Sequence, residues 1–540
     1  MEKPTLPDWN TLALVMPELC LILGMCAVIL TPFIRRRSVA LHTVTCIVSL
    51  VLALITALTS LGSFNGAAEP IFHGMLAVDP FSQFFKFLLI LFTLFIVVQW
   101  LIVTREDTDI LDVPDFLCLL LGATFGMAMM ASATNLLMIF VATEAASFPS
   151  FALAGFRKRN RIGSESSLKY VIFGAASSAI MVYGMSLIYG TTGTLSLAGI
   201  ADVAVNGLPG TAQGSEVVTG VSPLLAVGLL AMFAGLAFKL SAVPLHFWCP
   251  DVFEGAPFEV TTFLSVASKG AAVALLLRVL HVFGAMSGES GSSVFGGLAV
   301  GVGILGAVTA TWGNLVAIHQ TNIKRLLAYS SIAHSGYMIM AAAVIIGAAG
   351  DPDHMQEISG ALLFYLFVYL FMNLGAFTIG GLIAKETGSE DIRDYAMLFR
   401  RSPALAALMT LFLLSLFGMP GLGGFMGKIY LMTAMFAAGQ VGFALIAVLL
   451  INTLISLYYY LRPVYYMFFV VDEEQRPVFV PRGFGVGLLS VCALALLLTG
   501  IFPTTVYRFA EASGQLLIPK STASARALAP ETTSASAPVP

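Results

Sequence analysis

Apolar residues run through this chain in long stretches, broken by short segments where Gly, Pro, Asp and the basic residues gather. A helix needs about 20 apolar residues to cross a hydrocarbon core roughly 30 Å thick. The sequence has fourteen such stretches: 11–33, 40–61, 80–104, 115–131, 133–154, 167–190, 222–246, 258–284, 293–317, 326–348, 358–384, 403–437, 441–470 and 483–503. They predict an all-α polytopic membrane protein of about 14 transmembrane helices. The first stretch is too long, and too poor a match to a small-residue cleavage site, for a removable signal peptide, so its retention is expected.

Basic residues orient the spans, because Lys and Arg accumulate in cytoplasmic loops. Arg35–Arg36–Arg37 follow the first stretch, Arg105 the third, Arg157–Lys158–Arg159 and Arg161 the fifth, and Lys324–Arg325 the ninth. Lys385, Arg393, Arg400 and Arg401 follow the eleventh, and Arg462, Arg476 and Arg482 surround the end of the thirteenth. The loops 62–79, 191–221, 285–292, 349–357 and 438–440 carry neither Lys nor Arg. The alternation predicts both termini on the outer, periplasmic side.

Composition agrees: 58% of residues are hydrophobic, 11% are charged, and the formal net charge is −3, which leaves nucleic-acid binding without an electrostatic basis. The six cysteines form no C-x-x-C pair, so no iron–sulfur cluster, zinc or other metal site is expected in the chain. Residues 201–221 read as a plain surface loop. The Ala-, Ser-, Thr- and Pro-rich end, within 511–540, reads as a disordered tail.

Charges at membrane depth are costly and mark either a static pair or a proton pathway. Glu144, Lys239, Lys269 and Lys428 fall there. A static internal salt bridge is one reading; a titrating proton site is preferred, since a desolvated Lys loads and unloads protons readily. Lys239 lies in Gly235-Leu-Ala-Phe-Lys-Leu-Ser-Ala-Val-Pro244 and Lys428 in Gly418-Met-Pro-Gly-Leu-Gly-Gly-Phe-Met-Gly-Lys428. Both segments predict broken helices, tolerated at membrane depth only inside protein or beside water. Interrupted spans at matching positions point to inverted repeats, here 113–285 and 286–470, after three N-terminal helices (1–112) and before a last helix (471–510). Ile429 stands where a phosphate-binding loop needs Ser or Thr, so nucleotide binding at Lys428 is rejected.

Weaker signals remain. Lys169 follows Glu165 by four residues, which suits an ordinary interfacial pair as well as a proton role. His334, with Ser331, Ser335 and Tyr337 beside it, suits a relay or a hydrogen-bonded core histidine. Lys86 is expected to snorkel outward. Glu18 and Arg278, near span ends, carry no function, and Tyr458–Tyr459–Tyr460 are expected at the lipid interface.

Phe238-Lys-Leu-Ser-Ala-Val-Pro-Leu-His-Phe-Trp-Cys-Pro-Asp-Val-Phe-Glu-Gly-Ala-Pro257, Ala267-Ser-Lys269 and Gln320-Thr-Asn-Ile-Lys-Arg-Leu-Leu-Ala-Tyr-Ser-Ser331 closely resemble the antiporter-like membrane subunits of respiratory complex I, from about residue 75 to 470. Lys428 where a sister subunit carries Glu, the end after fourteen spans, and Thr321-Asn-Ile323 before Lys324 favour the subunit N branch of NADH–quinone oxidoreductase. The resemblance implies a translocase subunit in which Glu144 pairs electrostatically with Lys239, Lys269 bridges two half-channels through water and His334, and Lys428 releases the proton outward. It implies other membrane-arm and peripheral-arm subunits as partners, with NADH, FMN, iron–sulfur clusters and quinone held there, and a bacterial inner membrane as location. Glu259 departs from the family pattern and is expected near the cytoplasmic mouth of the eighth span, tuning proton uptake. Two rivals are a subunit of a multisubunit Na⁺/H⁺ antiporter and a non-transporting scaffold.

Overall fold

The computed structural model describes residues 14–61, 69–157, 161–206, 223–287, 293–346, 348, 351–436, 438–471 and 483–516. In chain order the helices are α1 (Met16–Arg35), α2 (Val39–Leu61), α3 (Pro80–Val103), α4 (Val113–Ser132), α5 (Leu136–Ala154), α6 (Arg161–Thr192), α7 (Leu197–Asn206) and α8 (Pro223–Lys239). There follow α9 (Trp248–Gly255), α10 (Phe258–Phe263), α11 (Lys269–Ser287), α12 (Ser293–Ala317), α13 (Ile323–Ala343) and α14 (Pro352–Thr387). The chain continues through α15 (Leu398–Arg401), α16 (Pro403–Phe417), α17 (Gly423–Phe436), α18 (Gly439–Phe469), α19 (Gly483–Ile501) and α20 (Pro503–Ser513).

Every predicted apolar stretch contains helix. Among the described residues, ten helices are long and apolar enough to cross a membrane, or eleven if α19 and α20, bent by 90°, count as one. The shorter apolar helices α8 and α16 are the first halves of the two interrupted stretches. The α10–α11 segment is buried throughout and α14 nearly so, while α1, α2 and α18 turn most of their surface outward. That outward surface is apolar, with Leu23, Phe33, Leu454 and Phe469 among its exposed side chains, as lipid contact requires.

Departures from the predicted pattern are short. Glu69–Ile71 and Leu76–Val78 pair as an antiparallel hairpin, with Glu69 opposite Val78 and a turn at Phe72–Gly74. Residues 201–206 of the expected surface loop belong to α7, which buries Leu197, Ile200 and Ala201 and packs on α11; the remainder of that loop, 207–221, lies outside the described residues. Beyond the last predicted span, α20 lies along α14. The expected tail from 517 onward, and Lys158, Arg159, Arg476 and Arg482 of the orienting loops, also lie outside the described residues.

Asp79 joins the hairpin to the bundle. It caps α3: its carboxylate accepts from Ser82 N at 2.8 Å, and its own N–H donates to Ser82 Oγ at 3.1 Å, a capping box. Arg278 of α11 donates to both carboxylate oxygens at 3.0 Å and to Ala131 O at 3.0 Å. Arg278 is therefore a buried structural clamp rather than a span-end charge. Lys86 departs likewise from its expected outward path. It is buried, and its Nζ meets the buried Glu18 carboxylate of α1 at 2.6 Å.

Candidate functional site: a line of buried lysines

The first break follows Lys239, the last residue of α8. Pro244 cannot donate a backbone N–H, and the chain runs non-helically until Trp248 opens α9. The break is fixed from both sides: Trp248 Nε1 donates to Phe238 O at 2.9 Å, and the indole stacks on Tyr170 of α6, centroids 4.4 Å apart. Lys239 is buried, donates to Ser147 Oγ of α5, and lies 5.8 Å from the Phe151 ring centroid. Glu144 stands one turn before Ser147, half-buried, and accepts from Ser178 Oγ of α6 at 2.5 Å. It lies within electrostatic reach of Lys239, yet the two form no direct ion pair. Ser147 occupies the lysine's contact position, and Ser178 holds the carboxylate.

Lys269 sits where α10 passes through one π-helical turn, Leu264–Ser268, into α11. Such turns often mark functional positions, and nothing in Leu-Ser-Val-Ala-Ser predicts one. The lysine is fully buried. Its Nζ donates to Ser331 Oγ at 2.5 Å, with Cys249 Sγ at 3.9 Å and the Phe253 ring centroid at 5.8 Å.

From Ser331 the polar groups continue along α13. Ser330, Ser331, His334 and Tyr337 recur at three- and four-residue spacing, which stacks them on neighbouring faces of one helix. His334 Nδ1 hydrogen-bonds Tyr365 OH at 2.5 Å and Nε2 bonds Tyr460 OH at 3.2 Å, while Tyr460 also bonds Ser330. Asn314 Nδ2 donates to Tyr337 OH at 2.9 Å, and Tyr459 OH donates to Asn314 Oδ1 at 2.9 Å. Tyr459 and Tyr460 are thus buried members of the network, contrary to their expected place at the lipid interface; Tyr458 alone of the three is exposed.

The line ends at the second break. α16 stops at Phe417 because Gly418 adopts φ +94°, and α17 restarts at Gly423. A Cβ on Gly424 would lie 1.8 Å from Ser415 O, so only glycine lets the two halves approach this closely. Lys428 then donates to Phe417 O at 2.6 Å and Thr453 Oγ1 at 3.3 Å, with the Tyr337 ring centroid 5.3 Å away. It satisfies a carbonyl left open by the break and sits at the negative end of the α16 dipole.

Lys169 does not join the line. It meets Glu165 at 3.0 Å and Asp251 at 2.8 Å on a rim shared with Arg325, which reaches Asp251 at 3.0 Å and Glu254 at 2.6 Å. Burial pushes the Asp251 carboxyl up, but hydrogen bonds and charge from Lys169 and Arg325 outweigh it and hold the group below the usual carboxylate range. Glu259 is buried in the first turn of α10. Sequence reasoning passed over Ser147, Ser178, Cys249, Tyr365, Thr453 and Asn314; only spacing against the lysines could have found them.

A predominantly helical bundle with lysines buried at helix breaks defines a class of ion-handling membrane subunit. Residues 133–456 match the family described as NADH:quinone oxidoreductase/Mrp antiporter, TM, and the chain belongs to that family. Among its relatives is NADH-quinone oxidoreductase subunit N of Anaeromyxobacter sp., 40% identical over 518 residues, covering 93% of this chain and 96% of the relative. A chain of respiratory complex I from Thermus thermophilus with bound aureothin superimposes with TM-score 0.71 at 30% identity, covering 91% of this chain and 99% of that one. A chain of the Mrp complex from Dietzia sp. shares the fold with TM-score 0.77 at 18% identity, covering 95% and 99%.

Proposed function

We propose that this chain is the subunit N of a proton-translocating NADH–quinone oxidoreductase, moving protons through its interior while redox chemistry proceeds in partner subunits. The observation that carries the reading is the line itself. Lys239, Lys269 and Lys428 are buried at or beside helix irregularities, and among the described residues each is held by neutral groups rather than a carboxylate. A static pair would satisfy the charge; neutral acceptors leave each amine free to gain and lose its proton. His334, hydrogen-bonded to Tyr365 and Tyr460, lies within electrostatic reach of both Lys269 and Lys428.

In this reading protons enter from the basic side and pass Lys239 and Lys269, and Lys428 delivers them outward. Glu144 biases Lys239 from a distance, so a shift of its carboxylate changes the lysine's proton affinity; each pKa unit corresponds to about 1.4 kcal/mol. Lys169 belongs to the rim that ties α6 to α9. Fourteen spans, two inverted five-helix repeats, outer termini and a bacterial inner membrane complete the proposed arrangement. The high identity to subunit N over nearly both whole chains favours it over the Na⁺/H⁺ antiporter alternative. FMN, iron–sulfur clusters, NADH and quinone belong, in this proposal, to the partner membrane-arm and peripheral-arm subunits.

The test is isolation of the chain from native membranes in mild detergent, followed by reconstitution into liposomes. Co-purified flavin and iron–sulfur proteins with NADH-driven proton uptake are expected, and Lys239→Ala should assemble normally but lose the uptake. Recovery with membrane partners alone, accompanied by Na⁺/H⁺ exchange, would assign the chain to the antiporter class. Loss of assembly in Lys239→Ala would make it a scaffold.

A further inference from the structure

Glu259 begins the eighth apolar stretch, two residues after Pro257, and is buried with its Oε2 lacking a hydrogen-bond partner. A buried carboxylate oxygen left without a hydrogen bond is costly. Beside it lies a polar cavity of about 190 Å³, with Thr104, Arg157, Phe258, Lys324, Lys385 and Glu390 in its wall. Lys324 and Glu390 face each other there at 2.6 Å. The buried Thr104 hydroxyl lies against the Glu259 carboxyl, and the charges of Arg157 and Lys324 reach it.

Inward from Glu259 the polar side chains keep step. Thr262 and Ser265 follow at three-residue spacing and Lys269 four later, across the π turn, which stacks all four along one side of the α10–α11 segment. Thr262 Oγ1 accepts from Gln99 Nε2 at 2.9 Å, Ser265 Oγ donates to Thr262 O at 2.7 Å, and the buried Gln99 Oε1 has no hydrogen-bond partner. From Glu259 to Lys269 the rise is about 15 Å at 1.5 Å per residue, a distance that a chain of hydroxyl groups and water covers and a bare apolar helix does not.

We propose that Glu259 is the proton-loading group for Lys269, taking protons from the cavity on the basic face and passing them along Thr262 and Ser265. It rests on the translocation reading above. The step balances simply: the carboxylate gains a proton from the cavity and becomes a neutral acid, then gives it up along the hydroxyl groups. The neutral amine of Lys269 becomes an ammonium, and the carboxylate is restored. Ser265 and Lys269, four residues apart, stay on neighbouring positions of one face across the π turn.

The test uses the whole purified complex in liposomes and reads NADH-driven proton uptake for the wild type, Glu259→Gln and Glu259→Asp, with and without added formate. Glu259→Gln should assemble and slow uptake by about 10-fold or more; Glu259→Asp should keep most of it, and formate, a small diffusible acid, should restore part of it to Glu259→Gln. Ser265→Ala, which leaves the carboxyl in place, should slow uptake without formate rescue. Unchanged uptake in Glu259→Gln, or a loss that neither aspartate nor formate repairs, overturns the proposal and leaves the translocation reading standing. A wild-type complex that reduces quinone without proton uptake overturns that reading as well.

Discussion

Arg278 and Asp79, 199 positions apart, close a two-pronged ion pair inside the bundle, Nη1 and Nη2 each 3.0 Å from a different carboxylate oxygen. The pair ties the hairpin and the start of α3 to the middle of the chain. Removing one partner leaves a buried charge alone, which typically costs about 3–5 kcal/mol. Asp79→Asn, which keeps the helix cap, should therefore lower the thermal midpoint of the purified complex, while Asp79→Asn combined with Arg278→Met should recover part of the loss. Equal midpoints for wild type and Asp79→Asn would show the clamp to be without weight.

Tyr460 joins Ser330 to His334. If the stretch between Lys269 and Lys428 conducts, Tyr460→Phe should slow NADH-driven proton uptake several-fold, of the order general acid–base groups contribute. The assembled complex should remain intact, since the ring and its packing on Tyr459 survive. Wild-type uptake in this variant would remove Tyr460 from the path.

Gly424 lets α17 lie against the end of α16, and Lys428 follows one turn later. Gly424→Ala forces its Cβ onto Ser415 O, so the halves must part, at about 1–3 kcal/mol by the usual scale of overpacking. Proton uptake should fall together with stability, because the Lys428 contact to Phe417 O depends on that approach. A variant with unchanged stability and uptake would mean that the break tolerates a wider gap.

Asp251 makes a prediction about pH. Its folded-state pKa is depressed, so its contribution to stability is complete above the ordinary carboxylate range and lost as pH falls through and below it. The group is partly exposed, which screens the effect. A thermal-melt series on the intact complex should show Asp251→Asn lowering the midpoint at about pH 7 to pH 8, where the contribution is complete, and flattening the fall on the acid side. An identical acid limb in both proteins would deny Asp251 that role.

The apolar runs made the helices legible because the bilayer demands length and apolarity of each span. Lys239 and Lys428 were legible too, since Pro244 and the glycines around 418–427 announce breaks. The setting of Lys269 was not: a π turn built from Leu, Ser, Val and Ala has no compositional mark. Tyr458, Tyr459 and Tyr460 look alike in sequence, but successive residues are turned by about 100° on a helix of 3.6 residues per turn, so one faces outward and two join the interior. The Lys86–Glu18 pair spans two helices and was hidden for the same reason, as only packing brings its partners together.

The neutral surroundings of the three interior lysines set a rule of traffic. With no carboxylate in contact to cancel it, the charge of one protonated amine is felt along the line, and like charges in a medium of low polarisability repel strongly. A second arrival is discouraged until the first has moved on. On the proposed path, protons would travel in single file, kept apart by mutual repulsion, with the lack of a contacting carboxylate among the described residues acting as the spacing device.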